Sequence, residues 1–193
     1  MSKRDKETIT LGSGLVYIMD YSESLPTQEA LFKTENLMGY TKGGAALEYT
    51  ETVHKEKDDL GRVCKIITTD ENALLKLGLL TWNGATLEKL IDRCKVEEKD
   101  GKRITKIGGA GNAKGGYYAV GFHHEDKEDG DLWVLIKGRN TAGATLTFAT
   151  DAGTKLEPSF EAMPHDESGT LIELIEELDA AAAASTEPET EEE

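Results

Sequence analysis

The chain has 193 residues and carries 22 Lys and Arg against 37 Asp and Glu, so its formal net charge is −15. This length suits one domain with at most a short appendage, and the apolar share of 38% is enough for a core at this size. A protein that grips nucleic acid through its phosphates needs clustered Lys and Arg. The charge therefore excludes such a protein, but not one that DNA only passes.

Membrane and secreted classes are not expected either. No apolar run approaches the ~20 residues that span a bilayer. The charged sequence MSKRDKETITLGSG lacks the apolar stretch of a secretory signal. Two cysteines, Cys64 and Cys94, are too few for a disulfide framework. We expect both to be reduced in a protein made in the cytosol, with a single disulfide as the alternative.

The acidic charge is concentrated toward the C-terminus. Residues 176–193 contain eight acidic and no basic residues, which leaves −7 for residues 1–175. From Ala180 onward there is no large apolar side chain, so burial cannot offset the entropy cost of ordering. The sequence predicts a β domain over residues 1–178 and a disordered acidic tail over 179–193. The favoured interpretation is that the tail is a simple spacer. The alternative is that it docks elsewhere or repels similar tails.

The first half of the chain has short alternating apolar runs, which are typical of strands. Alternation puts Leu47 and Tyr49 on one face. The charged segment His54–Gly61 ends in a turn. The predicted strands of this half are Leu15–Met19, Leu37–Tyr40, Ala45–Val53 and Arg62–Thr68.

One segment of this half has the signals of a helix. Thr69 or Asp70 can accept hydrogen bonds from the free N–H groups of a first helical turn. Glu71 complements the helix dipole there, and Gly78 suits the residue that follows a helix. We therefore predict a short helix over about residues 70–77, Asp70–Leu77.

The second half reads as strands separated by turns. Asp100-Gly101 is a strong hairpin signal, and Gly108–Gly116 predicts a flexible loop. Eight or more short strands predict a mainly β fold, a β-sandwich or barrel with one short flanking α-helix. The predicted strands are Leu87–Val96, Arg103–Ile107, Tyr117–His123, Leu132–Lys137 and Ala144–Ala149, followed by a closing hairpin of Phe160–Met163 and Thr170–Ile175.

No motif indicates catalytic chemistry. The Gly108–Gly116 run has neither a phosphate-binding glycine pattern nor a following helix. The acidic run His123–Asp131 fails the spacing of a calcium loop, and adjacent His123 and His124 would point to opposite faces of a strand. No Ser or Cys lies in a nucleophile context. We predict no catalytic residue, no cofactor, no metal site and no enzyme.

Two segments resemble the tail tube (major tail) proteins of long-tailed bacteriophages. They are MGYTKGGAALEYTETVHKEKDDLGRVCKIITTDENALLKLGLLTWNG and DGDLWVLIKGRNTAGATLTFATDAGTKLEPSFEAMPHDESGTLIEL, within residues 8–178. The resemblance rests on the order of the pieces: a long connecting loop, a DDLG-led strand, a short helix and a closing hairpin. The acidic tail lies outside it.

This resemblance implies a structural virion protein. Six copies would form a ring, and rings would stack into a tube with the tape measure, terminator and tip proteins as further partners. Genomic DNA would pass through the lumen without specific binding. The protein would be made in the bacterial host cytoplasm and located in the virion tail, without a membrane anchor. Six copies of the −7 body would carry −42, and an acidic lumen would repel phosphates.

The long segment Asn36–Gly61 would, by this resemblance, reach neighbouring subunits or rings. Leu47 and Tyr49 are equally compatible with core positions, and Asp58 and Asp59 with a plain turn. The candidate inter-subunit or inter-ring contacts are Tyr40, Leu47 and Tyr49 as apolar anchors and Asp58 and Asp59 as partners of basic groups.

Two other functions stay open. A β-sandwich carbohydrate-binding or adhesion module would display exposed aromatic side chains, for which the candidates are Trp82 and Trp133. A metal-dependent hydrolase would use His123, His124 and nearby acids.

Overall fold

The computed structural model of the chain describes residues 13–61, 64–150 and 153–178, so the predicted tail 179–193 lies outside the described residues. The strands are β1 (Leu15–Asp20), β2 (Leu37–Lys57), β3 (Cys64–Leu79), β4 (Cys94–Lys99), β5 (Lys102–Ile107), β6 (Tyr118–His124), β7 (Leu132–Asn140), β8 (Ser159–Met163) and β9 (Ile172–Glu176). Two short helices are α1 (Gln28–Leu31) and α2 (Gly84–Leu90). The prediction of a mainly β fold is confirmed.

Six strands of the large sheet close into an antiparallel barrel. The order β6-β1-β2-β3-β8-β7 returns to its start because β6 also pairs with β7. The seam between β3 and β8 uses three residue pairs, from Leu74 to Lys76. Two backbone bonds of 2.8 Å between Leu79 and Leu156 extend it. β9 lies beside β8 along the same edge of β7. Closure leaves few unpaired strand edges on the body of the protein.

Alternation along each strand divides the apolar side chains between the inside and the outside of the barrel. Val16 and Ile18 of β1 belong to the interior cluster, which also contains Phe160. Tyr17, between them, belongs to an outer cluster together with Leu31 of α1. Leu31 is fully buried, so the short α1 segment covers the outer side of the barrel at this point.

The predicted helix Asp70–Leu77 is wrong, because these residues lie inside β3. Ala73 and the leucines at 75, 77 and 79 are all buried, whereas Lys76 is exposed. This period of two packs one side of the strand against the interior cluster. Burial of that side outweighs the local helix signals, as tertiary packing often does.

The helix of this region is α2, in a stretch where the sequence predicts a strand over Leu87–Val96. Asn83 caps it: the Asn83 side chain accepts a 3.0 Å bond from the Thr86 N–H, and the Thr86 hydroxyl accepts a 3.2 Å bond from the Asn83 N–H. Leu87 and Leu90 then pack into the interior cluster. The strand prediction is therefore wrong in its first half and correct only from Cys94, where β4 begins.

Hairpin β4–β5 packs beside α2. Its predicted turn is confirmed, since Asp100 and Gly101 both have positive φ, at 52° and 70°. A Cβ added at Gly84 would lie 2.8 Å from Arg103 Cδ and 2.9 Å from the Thr105 hydroxyl. One face of the hairpin is thus held closely against the start of α2.

Three other predictions differ from the structure. Residues 144–149 form no strand, and Phe148 is 80% exposed. β8 and β9 do not pair with each other; both flank β7. The predicted pieces Leu37–Tyr40 and Ala45–Val53, with the first half of the charged segment His54–Gly61, belong to one 21-residue strand, β2. Hydrogen bonding to β3 holds these polar residues in the extended conformation of a strand.

The two cysteines are free in the structure, as expected. Cys64 is exposed at the start of β3, and Cys94 is buried at the start of β4. Burial there raises the pKa of the Cys94 thiol.

The barrel has two different ends. At the first, β6 finishes at His124, β9 finishes at Glu176 and β7 begins at Leu132. β2 runs in the same direction as β6 and continues past the barrel there, so we call this the arm end. At the other, β7 finishes at Asn140, whose amide donates a 3.0 Å bond to a carbonyl of α2. This is the helix end, about 27 Å away along β7.

Phe160 and Phe148 offer a matched test of the barrel core. Phe160 is fully buried and Phe148 is 80% exposed. We expect Phe160→Ala to lower the free energy of unfolding by about 3–5 kcal/mol, because it opens a cavity in the interior cluster. Phe148→Ala should change it by less than about 0.5 kcal/mol. Urea denaturation measures both, and equal losses in the two variants would contradict this description of the core.

Candidate functional site

The most unusual surface is the part of β2 and β3 that leaves the barrel. We call residues 46–57 and 64–71, with the turn at 58–61, the arm. The paired residues of β2 and β3 in the arm are all exposed. Twelve residues of β2 give it a length of about 40 Å. The arm is therefore a two-stranded ribbon that no other described part of the chain covers.

Two irregularities shape the arm. At its root the register shifts between Thr41 and Ala45, where Gly43 and Gly44 have φ of 91° and 77°. Residues with a side chain rarely adopt such values, so the glycines allow β2 to change course there. A second shift lies between Thr52 and Val53, partway along the ribbon.

One face of the arm carries most of its apolar side chains, together with the charged Glu51, Lys55 and Glu71; we call it the apolar face. Leu47, Tyr49 and Val53 lie on this face of β2, and Ile66 joins them because it pairs with Lys55. Their exposures are 39%, 49%, 54% and 56%. Leu47 pairs with the buried Leu75 of the interior cluster. The apolar face of the arm thus continues the inward-facing side of the barrel into solvent.

The opposite face is mainly polar. Lys76 and Glu48 form an ion pair of 2.6 Å across it. The Thr69 hydroxyl donates a 3.0 Å bond to the Thr52 carbonyl, and His54 Nε2 lies 3.1 Å from Glu56. Ile67, which pairs with His54, is the exception on this face. Exposed pairs of this kind contribute little stability each, so the polar face is compatible with permanent contact with water.

The edges of the arm are also unpaired within the described chain. β2 pairs with β1 only up to Tyr40, and β3 pairs with β8 only at Leu74–Lys76. Beyond these points each strand has the other as its only neighbour in the sheet. Unpaired edges are templates for another strand, so the arm presents both an apolar face and two edges to a partner.

The structure brings together only part of the predicted contact set. Leu47 and Tyr49 share the apolar face, as the alternation predicts. Tyr40 lies at the root opposite Leu15, which packs on the outer cluster, so it belongs to a different surface. Asp58 and Asp59 lie in the turn at the tip, and the Gly61 N–H donates a 2.9 Å bond to the Asp58 carbonyl. That any of the five contacts a neighbour stays a prediction.

Sequence reasoning missed three apolar residues of the arm, Val53, Leu60 and Ile66. Leu60 is 72% exposed in the turn at the tip. The available signal concerned Val53 alone, whose even spacing from Leu47 and Tyr49 places it on the same face of a strand. Leu60 lies in the turn and Ile66 is placed by its pairing with Lys55, so neither follows from spacing along one strand.

A cavity of about 720 Å³ opens into the barrel beside the arm root. His124 in its wall is buried, and its Nδ1 donates a 3.0 Å bond to the Ser13 carbonyl. Its Nε2 has no hydrogen-bond partner, since the nearest carboxylate oxygen, of Asp126, is 4.0 Å away. The walls include Gly43, Leu47, Leu75, Phe122, His124 and Leu174. Leu47 links this apolar cavity to the apolar face of the arm.

Within each of the two alternative functions the candidate residues lie apart: His123 from His124, and Trp82 from Trp133. His123 Nε2 is 2.8 Å from Asp131, and its ring stacks on Trp133 at 5.0 Å. Trp133 packs on the outer cluster, whereas His124 faces the cavity. Trp82 packs against the interior cluster. Among the described residues, no group of three or more His, Cys, Asp or Glu side chains is arranged to hold a metal ion.

Comparison with known proteins finds no matching family model and no matching curated relative. Neither helix in the described ranges has the length and apolarity needed to cross a membrane.

Tyr49 provides a titration probe on the apolar face. Its hydroxyl donates a 3.0 Å bond to Glu51 Oε1. This bond, with a smaller contribution from Glu71, raises the pKa of Tyr49 to about 12, so the neutral phenol persists to higher pH. Glu51→Gln should lower that pKa toward the ordinary value of about 10.

Ultraviolet titration measures this pKa, with Tyr49→Phe subtracted to isolate the Tyr49 signal. Glu48→Gln on the polar face is the control and should leave the pKa unchanged. A Tyr49 that ionises near pH 10 in the unsubstituted protein would show that the arm does not hold this geometry in solution.

Proposed function

We propose that this chain is a tail tube subunit of a long-tailed bacteriophage or a phage-derived particle. Copies assemble into six-membered rings, and the rings stack into a tube whose lumen conducts genomic DNA. The observation that supports this most strongly is the arm, an exposed two-stranded ribbon with an apolar face and two unpaired edges.

The arm suits assembly with identical copies. A two-stranded ribbon is only marginally stable by itself in water, so a partner that pairs with its edges and covers its apolar face would stabilise it. Arms from several copies, placed edge to edge, would complete each other's hydrogen bonds and close into a larger barrel. In such a barrel Leu47, Tyr49, Val53 and Ile66 face protein and the polar side faces the lumen.

The polar face also suits a passage for DNA. It carries three acidic side chains, Glu48, Glu56 and Asp70, and two basic ones, Lys65 and Lys76, so the net charge of its described residues is −1. Clustered Lys or Arg would bind phosphates and slow the passage of DNA. A wet surface with slight negative charge does not hold the DNA backbone.

Val53 and Thr52 provide a matched test, since they have similar shapes, are adjacent in β2 and lie on opposite faces. Both are exposed in the single chain, so neither Val53→Asp nor Thr52→Asp should change the thermal stability of the monomer by much. We expect Val53→Asp to raise the concentration needed for assembly at least roughly tenfold, because burying a Val side chain contributes about 1.5–3 kcal/mol.

Electron microscopy of the purified chain over a range of concentrations measures assembly. The unsubstituted protein and Thr52→Asp should form rings or tubes with six-fold symmetry, and Val53→Asp should not at the same concentration. The proposal fails if the unsubstituted chain stays monomeric at every concentration, or if Val53→Asp assembles as readily as Thr52→Asp.

A further inference from the structure

One face of hairpin β4–β5 is basic in this acidic chain. Cys94 is buried, and Val96 and Thr105 are half-buried against α2, so the other face of the hairpin is turned to solvent. Pairing places Lys95 opposite Lys106, Glu97 opposite Ile104 and Lys99 opposite Lys102 on that outer face. All four lysines are exposed, and Glu97 is the one acid among them. We call this surface the lysine face.

The lysine face is only partly neutralised. Glu97 lies between two lysines, with Oε1 3.1 Å from Lys95 Nζ and Oε2 2.7 Å from Lys106 Nζ. Lys99 and Lys102, beside the turn, form no ion pair with any residue in 13–61, 64–150 or 153–178. An anionic partner would therefore find two uncompensated ammonium groups next to each other.

The chain itself contains a segment of matching charge. Residues 179–193 have six acidic and no basic residues. They follow β9, which runs from Ile172, opposite Ile136, to Glu176, opposite Leu132. β9 thus ends at the arm end of the barrel, whereas α2 and the root of hairpin β4–β5 lie at the helix end. Fifteen residues can reach at most about 50 Å.

We propose that the lysine face of one copy binds residues 179–193 of the next copy in a head-to-tail contact. This inference rests on the proposed assembly and names a contact between successive copies. The donor segment and the acceptor face are different parts of the chain, so the contact is heterologous and can repeat from copy to copy. Charge complementarity of this kind fixes the orientation of the copies and speeds their encounter more than it adds affinity.

Carbodiimide cross-linking tests this contact, because it joins a carboxylate directly to a lysine in contact with it. Isotope-labelled and unlabelled copies of the full chain are mixed at about 0.15 M salt, where exposed charges are screened beyond about 8 Å. Mass spectrometry should find the acidic residues of 187–193 joined to lysines of the lysine face, in pairs that include one labelled and one unlabelled peptide.

Charge reversal then tests the two unpaired lysines. In the double variant Lys99→Glu, Lys102→Glu, cross-links to the retained Lys95 and Lys106 should fall roughly tenfold, since attraction at two exposed positions becomes repulsion. The control is Lys33→Glu, Lys127→Glu, which makes the same change in net charge at exposed residues elsewhere. It should keep the cross-links.

Three results would overturn the inference. The first is that every cross-linked pair is either fully labelled or fully unlabelled, which places the contact within one copy. The second is cross-links to other lysines instead, and the third is equal yields from the two double variants. Electron microscopy of the same samples separates this inference from the proposed function. Rings or tubes without the cross-link contradict the inference alone. The mixed-label cross-link in a sample without rings contradicts the proposed function alone.

Discussion

The β2–β3 ribbon leaves the barrel with no third strand from residues 13–61, 64–150 or 153–178 at either edge, and the rest of the structure depends on this constraint. Backbone hydrogen bonding is half complete along the arm, because each strand pairs only with the other. Leu47, Tyr49, Val53 and Ile66 stay exposed on one face. A protein that keeps such a segment extended in water bears a solubility and aggregation cost, which is removed when a partner completes the sheet and covers the apolar face.

The arm is attached to the barrel because the same two strands, β2 and β3, run from one into the other. β2 and β3 are barrel strands over their buried parts and arm strands beyond them, so the inward-facing row Leu77, Leu75, Leu47 and Tyr49 passes from core to solvent without a break. The closed barrel supplies the rigidity, and the glycines at 43 and 44 set the direction in which the arm leaves. The cavity beside the root exposes more of the same apolar surface. Hairpin β4–β5, whose root lies at the helix end, instead presents charge on its lysine face.

Sequence patterns were enough for the fold class and for most barrel strands, because alternation reports directly which residues face a core. They were insufficient where local and tertiary signals conflict. Asp70 and Glu71 are typical of the start of a helix. The segment is nevertheless a strand, because that conformation buries Ala73, Leu75 and Leu77 on one side. The helix at Gly84–Leu90 was missed although Asn83 and Thr86 form a capping box. The sequence predicts separate strands at Ala45–Val53 and Arg62–Thr68 around a charged segment, and not one continuous ribbon. The reason is that pairing with a strand some 20 residues away is not a local property. The spacing of Leu47 and Tyr49 predicts that they share a face. The lysine face instead depends on the pairing register of β4 with β5, which is fixed by the turn at Asp100-Gly101.

Hydrogen exchange along the arm tests the central claim most directly, that a neighbouring copy completes the ribbon. Mass spectrometry would compare the amides of residues 46–57 in dilute monomer and in concentrated protein, with the buried strand β7 as an internal reference. The account predicts amides on the outward edge of the arm that exchange quickly in the monomer and become protected in the concentrated sample, while β7 is protected in both. Rapid exchange of the same arm amides at both concentrations would contradict it.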